Sequence, residues 1–87
     1  MKRKDVYKAI DTERDFQVRM VTDNDRPDIN GEMHVGDILS AIRYNLDQAT
    51  HEWYYGSRPH TNATTYLRKI AALCVQAGEK NGMEERK

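Results

Sequence analysis

The sequence predicts an all-α fold, a three-helix domain built around a long antiparallel helical hairpin. Three observations predict it. Residues 35–55 and 63–81 both carry apolar side chains at helical spacing. Between them lies Gly56-Ser57-Arg58-Pro59-His60-Thr61-Asn62, a break rich in residues that stop helices. A third periodic stretch, about 5–21, precedes a polar run with too many turn formers to extend it. Eighty-seven residues make a single domain, 1–87.

In the first helix, about 5–21, Val6, Ala9, Ile10, Phe16 and Met20 recur at helical spacing, with Asp5 as N-cap. Residues 22–34 then read T-D-N-D-R-P-D-I-N-G-E-M-H, a long polar loop near the upper length for a compact domain and therefore functional or mobile. In the second helix, 35–55, steps of about 100° place Val35, Ile38, Leu39, Ile42, Leu46, Ala49 and Trp53 on one core-facing stripe. Asp37, Ser40, Tyr44, Asp47, His51 and Tyr55 fall opposite. The third helix, about 63–81, turns Ala63, Tyr66, Leu67, Ile70, Leu73, Cys74 and Ala77 inward, with Asn62 as N-cap and Asn81-Gly82 as a left-handed stop.

Composition narrows the function. Fourteen basic and fourteen acidic residues cancel, so the bulk electrostatics gives no support to non-specific nucleic-acid binding. The lone cysteine, Cys74, excludes a disulfide within the chain; on the apolar stripe it reads as a small buried hydrophobe in a reducing cytoplasm. No signal peptide or membrane span is expected, since no apolar run exceeds a few residues. In that setting the sequon Asn62-Ala63-Thr64 is accidental. Hydrophobic residues are 38% of a small chain, and long two-sided helices leave apolar surface that three helices do not cover, so a homo-oligomer, a dimer first, is expected.

Two residues break the first helix's pattern. Glu13 and Gln17 project onto the apolar stripe, and a carboxylate facing a core is costly by several kcal/mol in order of magnitude unless paired. Arg43, Arg68 and Lys69 are the candidate partners. The cluster Glu13, Gln17, Arg43, Arg68 and Lys69 is then either a structural ion pair that fixes helix register or a polar pocket receiving a ligand between helices. On the second helix, Tyr44, His51, Trp53, Tyr54 and Tyr55 crowd rings into a short stretch. Tyr44, His51, Tyr54 and Tyr55 are candidate interface residues, for an oligomer, a partner or a stacked base. The alternative is that Tyr44 and Tyr55 pack under the long loop.

Metal readings fail on spacing. Asp28, Asn30, Gly31 and Asp37 match four positions of a calcium loop, yet Arg26 stands where its first carboxylate belongs and Pro27 interrupts it. Asp47 and His51 share a helical face but supply only two ligands, and His34 and His60 lie in flanking loops. A DNA-reading helix-turn-helix is disfavoured by the long connection and the few basic side chains on the last helix.

The words A-I-D-T-E-R-D-F-Q (Ala9 to Gln17), V-G-D-I-L-S-A-I-R-Y-N-L-D-Q-A (Val35 to Ala49) and L-R-K-I-A-A-L-C-V-Q-A-G-E-K-N-G (Leu67 to Gly82) resemble small bacteriophage proteins. Those are grouped with the MazG-like, all-α NTP pyrophosphohydrolase superfamily. The resemblance spans most of the chain in segment order and implies a helical fold in a host-cell cytoplasm. It also implies carboxylate pairs, E-x-x-E and E-x-x-D, on facing helices that hold magnesium against a triphosphate. This chain departs from that pattern. Ala63 to Gly78 contains no carboxylate, and Asp37, Asp47 and Glu52 stand at no i,i+3 or i,i+4 spacing.

The reading that follows is a small non-catalytic accessory protein, with no cofactor, binding a host protein or a nucleotide-like ligand in a host-interaction or counter-defence role. The competing reading is a magnesium-dependent nucleoside triphosphate pyrophosphohydrolase with Glu13, Asp37 and Asp47 as metal ligands and Arg68 or Lys69 on phosphate.

Overall fold

The computed structural model describes residues 1–23 and 34–87, with only the backbone at 21–23. The polar loop expected over 22–34, and the calcium-type spacing within it, fall largely outside the described residues. The rest is all-helical: α1 spans Arg3–Asp23, α2 Val35–Tyr55 and α3 Pro59–Asn81, with no strand among the described residues.

The helix ends follow from local chemistry. Asp5 is not the N-cap of α1; it sits a turn inside and accepts the Lys2 backbone N–H at 3.2 Å, satisfying an amide that the helix leaves over. Asp37 does the same for α2, accepting the His34 N–H at 3.1 Å. The third helix begins four residues earlier than the sequence suggests, because Pro59 occupies its first turn, where a missing N–H costs nothing. Arg58 takes the N-cap position, and Asn62, now inside the helix, donates from Nδ2 to Glu52 Oε2 at 3.0 Å. Only residues 56–58 then link α2 to α3. Gly82 ends α3 with φ +82°, donating its N–H to the Gly78 carbonyl at 2.8 Å.

The third helix is the shared spine. Both α1 and α2 pack on it, while no Cα of α1 comes within 8 Å of α2 among the described residues. Two packing faces on one helix reassign the core. Ala72, Leu73 and Gln76 are buried on α3, whereas Leu67 and Cys74 are exposed. The expectation of a buried cysteine is therefore overturned.

The inward side of α2 is also rotated from the hydrophobic stripe. Ile38 and Ala49 are buried, and Ala41, Ile42, Asn45 and Glu52 half-buried, while Val35, Leu39, Leu46 and Trp53 stand largely in solvent. On α1, Val6 and Phe16 are likewise exposed, and the buried positions are Glu13 and Arg14. Hydrophobicity alone centred these stripes wrongly, because polar side chains with partners occupy the contact lines. Among the described apolar residues only Ile38, Ala49, Ala72 and Leu73 are buried. No helix is long and apolar enough to cross a membrane among the described residues.

Candidate functional site

The seam between α1 and α3 is polar at its centre. Glu13, 6% exposed, accepts the Arg68 Nε–H at 2.7 Å. One residue on, buried Arg14 donates from Nε to Glu79 Oε1 at 2.6 Å. The two pairs point in opposite senses: α1 supplies an acid then a base, and α3 a base then an acid. The two partners lie eleven residues apart on α3, so the pairs tie one level of α1 to two separate levels of α3. Gln17 Oε1 and both amide atoms of Gln76 are buried beside this seam without a hydrogen-bond partner among the described residues. Each such atom opposes folding by about 1–3 kcal/mol.

Beside the Glu13–Arg68 pair the same two helices open into a cleft of about 740 Å³. Val6, Ala9 and Ile10 of α1 face Leu67 and Ala71 of α3 across it, giving apolar walls. The polar side chains that line it come from α3: His60, Thr61, Thr64, Thr65 and Arg68. The hydroxyl of Thr64 donates to the His60 carbonyl at 2.6 Å, so it faces the cleft as an acceptor. No carboxylate lines this space. The first turn of α3, which carries no acid, brings its own partial positive charge to the end of the cleft that His60 and Thr61 line. Arg68 commits Nε to Glu13, its side chain is 42% exposed, and no other bond to it is found among the described residues. The buried carboxylate thus steadies the guanidinium while leaving its terminal nitrogens for an anion.

The residues singled out from sequence separate. Glu13 and Arg68 come together, and Gln17 follows Glu13 one turn later on α1. Lys69 points elsewhere, its ammonium 5.1 Å from the Tyr66 ring centroid in a smaller recess with Glu52 and Asn62. Arg43 is exposed on α2 with no ion pair among the described residues. Tyr44, His51, Tyr54 and Tyr55 are all exposed; the rings of His51 and Tyr55 lie 5.2 Å apart. Trp53 is half-exposed and meets His60 edge-on at 4.9 Å across the α2–α3 link.

The three residues that would ligate magnesium do not meet. Glu13 is turned to Arg68, Asp37 to the His34 N–H, and Asp47 is exposed on α2. No three His, Cys, Asp or Glu side chains gather as a metal site among the described residues.

Arg14, Gln76 and the cleft walls were not legible as site residues. The apolar walls carry no chemical signal, and Arg14 is one of several arginines whose burial only the docking of α1 decides. The chain matches no known family model, no curated protein and no solved structure.

Proposed function

We propose that the protein is a non-catalytic helical binding module, and that its site is the α1–α3 cleft. The ligand class is a small molecule with an apolar or aromatic body and one anionic group, which includes nucleotide-like compounds. One observation carries the reading: an apolar cleft of ligand size whose fixed cation, Arg68, is braced from behind by a buried carboxylate. The body lies between Val6, Ile10 and Leu67, and the anion reaches the free edge of Arg68. In this reading α2 and α3 form the antiparallel hairpin that holds one wall, since their link is only residues 56–58. The role implied by the resemblance to phage proteins, host interaction or counter-defence, is exercised by sequestering such a ligand. Hydrolysis is not proposed, because Glu13, Asp37 and Asp47 each serve a structural contact or stand apart.

The test is a titration of isotope-labelled full-length protein with nucleoside monophosphates and aryl carboxylates, followed by amide chemical shifts. Saturable shifts at Ala9, Ile10, Thr64, Leu67 and Ala71, lost in Ala71→Trp, support the site. No saturable shifts there, or shifts unchanged by Ala71→Trp, overturn it. Release of pyrophosphate from a nucleoside triphosphate with magnesium, abolished by Asp37→Ala, would overturn the non-catalytic reading.

A further inference from the structure

Along α2 runs a regular apolar row, four of whose members stand about half exposed. Val35, Leu39, Ile42, Leu46, Ala49 and Trp53 follow intervals of four, three, four, three and four residues. That is the 3.5-residue spacing of a seam between two packed helices. Ile42 and Ala49 are shared with the face toward α3. The others are 45% (Val35), 59% (Leu39), 50% (Leu46) and 49% (Trp53) exposed; α3 packs on the neighbouring face, and no α1 Cα lies within 8 Å of an α2 Cα among the described residues.

We infer that this row is the interface of a homodimer, in which α2 packs antiparallel against α2 of a second copy about a twofold axis at Leu46. Two observations select a second copy. First, the row is self-complementary: Leu39 and Trp53 lie seven residues either side of Leu46. A twofold axis at Leu46 therefore sets Leu46 on its own mate and Leu39 on the partner's Trp53.

Second, the flanking charges fit the same arrangement. Arg43 and Asp47 lie on the exposed side of the row with no ion pair among the described residues. Antiparallel packing brings Arg43 within one turn of the partner's Asp47, on both sides of the axis. The net charge of zero adds no repulsion between copies.

Sedimentation equilibrium of the full chain at about 10–100 μM, where such interfaces are occupied, tests the proposal. The wild type is expected as a dimer, and Leu46→Glu or Leu39→Glu is expected to weaken it at least about tenfold with helical circular dichroism retained. Geometry is read by oxidation in a Cys74→Ser background. Leu46→Cys should cross-link to itself, and a mixture of Leu39→Cys with Trp53→Cys should cross-link between the two proteins. A monomeric wild type, which would leave the row to a foreign partner, overturns the inference. So does a dimer indifferent to Leu46→Glu, or self-cross-linking of Leu39→Cys, which would mean parallel helices. The cleft lies on α1 and α3, so failure here leaves the ligand reading standing, and failure of the ligand reading leaves this one.

Discussion

Glu13 of α1 is held by Arg68 of α3, Nε to Oε1 at 2.7 Å, with the acid buried and the base half in solvent. The asymmetry sets the energetics. Water still stabilises the guanidinium, whereas the carboxylate has given up its hydration and depends on this partner.

Removing the base should therefore hurt more than removing both groups. Arg68→Met is expected to cost about 2–4 kcal/mol, somewhat less than for a fully enclosed pair. Adding Glu13→Leu should recover most of that loss, since the isolated acid is what costs. Urea denaturation of the two single variants and the double variant measures the coupling. Additive losses would show that the two side chains do not depend on each other.

Gln76 offers the opposite sign. Its side chain is 2% exposed, and neither amide atom has a hydrogen-bond partner among the described residues. Gln76→Met keeps the length and removes two desolvated polar atoms, so a gain of about 1 kcal/mol is expected. A loss of that size in thermal unfolding would mean the amide is satisfied in solution, by water or by a partner.

Gly56 marks the tightest point of the α2–α3 link. Its N–H bonds the Glu52 carbonyl at 2.9 Å, and a Cβ built there would lie 2.5 Å from that same oxygen. Backbone cannot move aside as a side chain does, so Gly56→Ala should destabilise by about 1–3 kcal/mol. Glu52→Ala removes only the side chain and the Asn62 bond, and should cost about 1 kcal/mol. Equal and negligible effects in denaturant titrations would mean the link relaxes freely.

The sequence revealed the helices better than their docking. Periodicity located α2 to the residue, and it located most of α3, missing only the first turn that Pro59 allows. The anomaly of Glu13 on an apolar stripe pointed to a paired charge, and Arg68 was among three candidate partners. Which one it was depends on how far along α3 the first helix sits, a relation between distant segments that no local pattern encodes. The orientation of α2 misled for a related reason. A helix with an outward row as apolar as its inward one has two plausible core faces, and hydrophobicity cannot choose between them. Cys74 followed the same error, since α3 buries two flanks and leaves a third bare.

Among the described residues α1 docks on α3 and not on α2, which makes it a removable arm. Peeling α1 away breaks two charge pairs and a thin strip of aliphatic contact, yet leaves the other two helices embraced. Unfolding can then proceed in two instalments, the arm first. Because one bank of the cleft is the arm itself, any molecule lodged there acts as a latch that ties the arm down, and its departure releases the chain's first twenty-odd residues to search for something else.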